Sequence, residues 1–264
     1  MKRISDWENT LYTSLNSGVG GPWEFRCFEA LSSTMDTAKE IIADLRPFEM
    51  ALVMARTQSA GRGRRGKTWL ATEGSFIGTY LLPYEEDEVV PLEGFSLVVG
   101  CILKRVLESY SCSVRLKWPN DILSLQMEKL AGVLIELLNI NNRRYVSLGI
   151  GVNLVETPES LSDTASLVSI GGREIEPIEL AVKLSSVIAE DWARFKKGGF
   201  SLFKEEWLSS AAFINKLVAL NEGSERVSGI LVGVADNGML LLETKQGIKE
   251  IVSGEIVGEL RVCC

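Results

Sequence analysis

The chain contains no histidine. That absence removes Ser-His-Asp and Cys-His triads, imidazole-ligated zinc and phosphohistidine chemistry together. Any catalysis must run on lysine, arginine, carboxylates, amides or a bound metal. Cysteines are few and scattered: Cys27, Cys101, Cys112, Cys263 and Cys264 form no C-x-x-C pair. An odd number so spaced suits neither a disulfide framework nor a zinc site. Cys101 lies in an apolar helical stretch and reads as a small core residue, while the vicinal Cys263-Cys264 pair reads as an exposed tail. No apolar run approaches the ~20 residues of a membrane helix, and the first dozen residues, mixing Lys2, Arg3, Asp6 and Glu8, have no secretory core. Basic residues are in the minority, 28 against 35 acidic, for a net charge of −7. Neutralising phosphates needs a basic face, so nucleic acid is not expected as the main partner. The reading is a soluble cytoplasmic protein with no membrane partner.

What is present is ample for a packed core. A length of 264 residues, 46% of them apolar, suggests one or two domains. Ser33-Thr34-Met35-Asp36 fits a helix-capping box, and behind it Met35, Ala38, Ile42 and Leu45 recur at helical spacing until Pro47. A strand-like run from Ala51 to Ala55 feeds a Gly/Arg-rich loop, Gln58 to Lys67, and a second strand from Ser75 ends at Pro83. Phe95 to Leu107 reads as a buried helix, and Arg115 to Trp118 as a short strand stopped by Pro119-Asn120-Asp121. Lys129 to Leu138 and Tyr145 to Leu154 read as two strands around an Asn139–Arg144 turn. Pro177 opens an amphipathic helix, followed by a shorter one around Phe203 to Ala212. From Lys216 the character changes to short β-runs with turns at Glu222-Gly223, Asp236-Asn237-Gly238 and Gln246-Gly247, the signature of a small β-barrel. The acidic run Glu85-Glu86-Asp87-Glu88 reads as a solvated loop.

The densest chemical signal is the loop itself. Five basic residues and no acid fall between Arg56 and Lys67, interspersed with Gly61, Gly63 and Gly66. Glycines allow close backbone approach, and successive N–H groups in such a loop form an anion-binding nest. Gly61 to Thr68 formally matches the P-loop pattern, but a P-loop needs a helix beginning at the lysine, and Trp69-Leu70-Ala71-Thr72-Glu73-Gly74 leaves no room for one. Three further clusters fall at strand ends: Lys117-Trp118-Pro119-Asn120-Asp121, Lys129-Leu130-Ala131-Gly132 and Gly149-Ile150-Gly151-Val152-Asn153. Alternate glycines on a strand leave one face bare, and ligands commonly bind at such strand ends.

On these residues, together with Ser33-Thr34, Gln58 and Trp69, the sequence resembles the biotin protein ligases, biotin–[acetyl-CoA-carboxylase] ligases, from about Leu31 to Gly258. The resemblance implies an α+β fold, a mixed sheet packed with helices of the class II synthetase/biotin–lipoate ligase kind, plus a C-terminal SH3-like barrel. It divides the chain into a catalytic domain over 1–215 and an SH3-like domain over 216–264. It implies ATP and Mg²⁺ as cofactors and biotin as substrate. Biotinyl-5′-AMP would form first, and biotin would then pass to a lysine of biotin carboxyl carrier protein.

Carried over residue by residue, Ser33, Thr34 and Gln58 would bind the biotin ureido group, with Met35 beside them where many relatives have Asn. Gly61, Arg62, Gly63 and Arg64 would close over the carboxylate and adenylate, and Lys129 would neutralise the carboxylate and α-phosphate. Trp69, Gly132 and Leu134, with Gly149 and Gly151, would line the apolar part of the site. Asn120 and Asn153 would serve ATP, and Asp121 would lie near the metal or the incoming lysine. The few residues before Ser33 suggest a monofunctional form without an N-terminal DNA-binding domain. A homodimer stays open. A lipoate-type ligase and a non-catalytic biotin-binding regulator are the rival readings. The absence of histidine opposes the first, and Arg64, Asp121 and Lys129 together oppose the second.

Overall fold

In a computed structural model of the chain, residues 3–15, 22–84, 90–222 and 225–259 are described. Glu85-Glu86-Asp87-Glu88, Gly223 and Cys263-Cys264 lie outside the described residues. The chain opens with helix α1 (Ile4–Leu15) and strand β1 (Trp23–Leu31), then α2 (Thr34–Ile41), β2 (Met50–Gln58), β3 (Phe76–Pro83) and α3 (Phe95–Glu108). Strands β4 (Arg115–Lys117), β5 (Asp121–Leu123), β6 (Lys129–Ile140) and β7 (Arg143–Val152) follow, then helices α4 (Pro177–Gly198) and α5 (Lys204–Ser210). Five strands close the described residues: β8 (Leu217–Glu222), β9 (Glu225–Val234), β10 (Leu240–Thr244), β11 (Gly247–Ile251) and β12 (Glu255–Glu259).

Seven strands form one mixed sheet in the order β1-β2-β3-β7-β6-β5-β4, with β1 and β2 parallel and the other neighbours antiparallel. Helices α1, α3 and α4 join one large apolar core, and α2 covers a smaller cluster built on Ala38, Ile42 and Leu45. The last five strands form a second, antiparallel sheet in the order β11-β10-β9-β8-β12. The expected SH3-like β-barrel is thus present as an open sheet: β11 and β12 stand at opposite edges and do not pair. Among the described residues no helix is long and apolar enough to cross a membrane.

Helix α1, strand β1 and the three-residue β5 had no counterpart in the sequence reading. Helix α1 buries Trp7, Leu11 and Leu15, but its mean apolarity is diluted by Asp6, Glu8 and Asn9. Strand β1 mixes Arg26 and Glu24 with Trp23 and Phe25, so its alternation is weak. It is legible only through its partners. Its outward Cys27 N–H donates to the Glu8 carboxylate at 2.8 Å, and its Phe25 N–H donates to Tyr12 Oη at 3.3 Å. Side chains of α1 therefore satisfy an edge that would otherwise present free donors. Burial, with Glu8 nearby, pushes the Cys27 thiol up to about 12, which makes it an inert core residue. Cys101 is fully buried, as its helical setting suggested.

The capping box also resolves differently. Ser33 occupies the N-cap position with extended backbone, yet its hydroxyl makes no capping bond. The Gln58 side chain takes that place, its Oε1 accepting from Thr34 N at 2.8 Å and from Thr34 Oγ1 at 3.3 Å. A partner from the neighbouring strand end replaces the local cap. The helix stops at Ile41, short of Leu45, which is buried all the same.

The second sheet is seated on the first through a backbone contact. Gly94 (φ 76°) precedes α3, and Gly238 (φ 83°) lies in the Asp236-Asn237-Gly238 turn. A Cβ on Gly238 would come within 2.6 Å of Gly94 Cα. The Gly238 carbonyl also accepts the Trp118 indole N–H at 3.0 Å. Gly238→Ala combines an unfavourable positive φ with a clash against backbone, so it is expected to lower stability by about 1–3 kcal/mol. A fall in the urea midpoint at unchanged slope would report it, and an unchanged midpoint would refute the tight seam.

Candidate active site

The parallel pair β1 and β2 ends at Leu31 opposite Gln58, and α2 starts three residues beyond Leu31. Ser59 N donates to Leu31 O at 3.0 Å and Ala60 N to Ser32 O at 2.8 Å, which stitches the loop to this corner. The loop then turns back on itself. Gly63 N donates to Lys67 O at 2.7 Å, Trp69 N donates to Gly61 O at 3.0 Å, and Arg64–Gly66 form a single 3₁₀ turn with Arg65 in the left-handed region. No helix begins at Lys67, so the P-loop resemblance has no structural counterpart.

This hairpin closes over a cavity of about 130 Å³. At one end lie Ser33, Thr34, Met35 and Gln58. Thr34 Oγ1 accepts from Thr79 Oγ1 at 2.8 Å, whereas Ser33 Oγ is buried with no partner among the described residues. A buried hydroxyl without a partner costs free energy that a bound polar group can recover.

The floor is a strip of bare backbone. Gly132 and Gly151 pair across β6 and β7, and Gly149 lies opposite Leu134. A Cβ on Gly151 would stand 2.3 Å from the Trp69 ring, and one on Gly149 would stand 2.9 Å from Met35 Sδ. A Cβ on Gly132 would lie 3.3 Å from both Lys129 Nζ and Trp69. The alternating glycines are therefore space vacated for three side chains. Lys129 Nζ sits 5.8 Å from the Trp69 ring centroid and 2.6 Å from Asp121 Oδ1.

The cations are held apart by partners from both sheets. Arg62 spans Asp36 at 3.1 Å and Glu136 at 3.5 Å. Arg64 Nη1 reaches Asn120 Oδ1 at 3.4 Å and Gly254 O at 3.5 Å. Burial, and then the neighbouring Arg65 charge, lower the Arg64 pKa, so this guanidinium is short of counter-charge. Lys67 Nζ lies 2.6 and 2.8 Å from the two Glu255 oxygens. Burial raises the Glu255 pKa, but the Lys67 bond and charge outweigh it and leave it below its ordinary value.

The structure brings together Ser33, Thr34, Met35, Gln58, Arg62, Gly63, Arg64, Trp69, Asn120, Asp121, Lys129, Gly132, Leu134, Gly149 and Gly151 around this cavity. It places two expected residues elsewhere. Gly61 is outside the lining, and a Cβ there would meet Trp69 O at 2.2 Å, so its part is to let the hairpin close. Asn153, expected to face phosphates, is buried outside the lining beneath residues 163–167, its Nδ2 donating to Ala165 O at 3.1 Å. Its Oδ1 has no partner among the described residues. The sequence reading missed Lys67, Arg65 and Glu255 as site residues. Lys67 and Arg65 belong to the motif already singled out, but nothing local marks Glu255, on the last strand of the second sheet.

A cavity walled by cations, amides and a glycine floor suits an adenylating site for a carboxylate. The chain matches the Biotin/lipoate A/B protein ligase family over residues 27–153 and the Biotin protein ligase C terminal domain over residues 213–257. It is 31% identical over 217 residues to a biotin–[acetyl-CoA-carboxylase] ligase of Paracoccus denitrificans, covering 78% of this chain and 89% of that one. It is 30% identical over 235 residues to the bifunctional ligase/repressor BirA of Bacillus subtilis, covering 86% and 72% respectively. The biotin protein ligase of Aquifex aeolicus in complex with biotin and ATP superposes with a TM-score of 0.73 at 30% identity, covering 89% of this chain and 97% of that one. The chain belongs to the biotin protein ligase family and is an enzyme of that kind.

Glu255 is ionised in the fold at a pH where a free carboxyl would be protonated. Its support of the Lys67 hairpin is therefore present above the ordinary carboxylate range and lost as pH falls through the depressed value. The pair is partly exposed, so Glu255→Gln is expected to lower stability by at most about 1 kcal/mol at neutral pH. Urea midpoints of the two proteins should converge in acid; a gap that persists there would refute the pairing.

Proposed function

We propose that this chain binds biotin and ATP, forms biotinyl-5′-AMP with release of pyrophosphate, and transfers biotin to a lysine of biotin carboxyl carrier protein. The observation that carries this reading is the convergence of Arg62, Arg64 and Lys129 on a cavity whose far end holds the unpartnered Ser33 hydroxyl. Ser33, Thr34 and Gln58 would take the polar ureido ring, and Met35, Trp69 and the glycine strip would flank its apolar body. Joining a carboxylate to a polyphosphate brings anions together, and preorganised cations stabilise the charge that develops. Lys129, already poised on Asp121, would bridge the carboxylate and α-phosphate. Arg64, short of counter-charge, gains most from an anion.

Among the described residues no cluster of three or more His, Cys, Asp or Glu side chains could cage a metal. The donor set fits an Mg²⁺ carried by the ATP phosphates, which needs at most one or two protein carboxylates, with Asp121 the candidate. In the second step the attacking amine forms a C–N bond to the acyl carbon as the C–O bond to AMP breaks. Asp121 would accept the proton released from nitrogen. Asn120, held to Val133 O at 2.6 Å, would orient the nucleotide beside Arg64. We place the boundary between the catalytic and C-terminal units at 215/216, just before β8.

The test is biotin- and ATP-dependent labelling of a carrier domain, together with biotin-dependent ATP–pyrophosphate exchange. Exchange driven by lipoate instead of biotin would overturn the substrate. Lys129→Ala should lower exchange by about 100-fold or more with the fold intact by circular dichroism; an unaffected rate would remove Lys129 from the chemistry. Arg64→Gly should release the adenylate about 10- to 150-fold faster, the loss of one charge-assisted bond. Unchanged dissociation would remove Arg64 from the site.

A further inference from the structure

The cations of the hairpin are not tethered alike. Arg64, Arg65 and Lys67 reach toward the second sheet, at Gly254 O, Asn221 O and the Glu255 carboxylate. Arg62 turns the other way, its Nη2 to Asp36 Oδ1 at 3.1 Å and its Nη1 to Glu136 Oε1 at 3.5 Å. Its backbone is fixed where the two arms of the hairpin meet, in an antiparallel bridge with Thr68. Asp36 stands in the first turn of α2 beside Met35, which lines the cavity. Glu136 follows Gly132 and Leu134 at period two along β6, on the same face, and those two also line the cavity. Neither carboxylate lines the cavity itself, and neither has another ion pair or side-chain hydrogen bond among the described residues. The Arg62 guanidinium thus spans from the α2 wall to the β6 wall.

We propose that Asp36 and Glu136 are positioning residues for biotin binding: they hold the Arg62 guanidinium in place before the ligand's carboxylate arrives. The inference rests on the two-step reading above and adds which residues prepare Arg62 for it. An untethered arginine samples many rotamers, and binding an anion has to stop that motion. The two ion pairs stop it when the chain folds. A guanidinium carries five N–H donors, and one contact at each terminal nitrogen leaves three for an incoming anion. Tether and ligand therefore do not compete for the same protons. Two negative charges near an anion site also repel the ligand, which opposes the gain. Asp36 is balanced by the N-terminus of α2 as well as by Arg62, and both carboxylates are open to solvent screening, their side chains 53% and 37% exposed. Ordering therefore outweighs repulsion. A preorganised group acts on ground state and transition state alike, so its loss raises KM and leaves kcat.

The experiment follows biotin-dependent ATP–pyrophosphate exchange by the full chain as Asp36→Asn, Glu136→Gln and the double variant. A partly exposed ion pair is worth at most about fivefold, so each single variant is expected to raise the biotin KM about threefold and the double variant about tenfold, with kcat within about twofold. Asp36→Glu, which keeps the charge, should bring the KM back to within about twofold of the unaltered chain. In an Arg62→Gln chain, Asp36→Asn should have no further effect, because Asp36 acts through Arg62. A lower KM in the double variant would mean that the carboxylates compete with the ligand, and would overturn the proposal. An unchanged KM would overturn it as well, as would an Asp36→Asn effect of equal size in the Arg62→Gln chain, the mark of a residue that serves only the start of α2. If the unaltered chain shows no biotin-dependent exchange, the two-step reading itself fails, a result distinct from a tether wrongly assigned.

Discussion

Everything in this site depends on holding like charges close together inside an acidic chain. The hairpin from Gly61 to Lys67 carries four cations, and each side chain is drawn toward a different partner. Arg62 is taken by α2 and β6, Arg64 by Asn120 and a backbone carbonyl of the second sheet, Arg65 by the Asn221 carbonyl, and Lys67 by Glu255. Without those partners the cations would repel one another and the loop would swing into solvent. With them, the guanidiniums are preorganised but incompletely neutralised, which is the state an anionic ligand can exploit.

The arrangement explains why a second sheet is attached at all. Its turn at Gly238 meets Gly94 backbone to backbone, its carbonyl fixes the Trp118 indole, and Gly254, just before its last strand, and Glu255, the first residue of that strand, reach the hairpin. One rigid seam thus serves two tasks. It anchors the cationic loop from behind, through Gly254 and Glu255, and it fixes the Trp118 indole at the head of the Pro119-Asn120-Asp121 turn.

Much of this was legible from local pattern. The long apolar periodicities of α3 and α4 and the runs of β2, β3, β6 and β7 declared themselves, because a buried face imposes its period on the residues that form it. The glycine-rich motifs likewise marked where backbone had to stay bare. Elements whose apolar faces are diluted by charge were not legible. Helix α1 and strand β1 stabilise each other through Glu8 and Tyr12, and neither has a signal without the other. The C-terminal turns were visible, but closure of their strands into a barrel was not a local property, and the sheet is open.

The sequence by itself determined the chemistry that was available: no imidazole, a cationic glycine loop, one lysine heading an apolar strand, and carboxylates nearby. Those are facts of residue type, and they need no coordinates. Only the tertiary structure decided which groups act on which. Gln58 rather than Ser33 caps α2, which leaves the Ser33 hydroxyl unpartnered; Asn153 lies under a neighbouring segment; Glu255 grips Lys67 from a strand far along the chain. Each of these pairings joins residues from separate elements. Their energies arise from distances set by the packing of the two sheets, and no local pattern encodes a distance between strands.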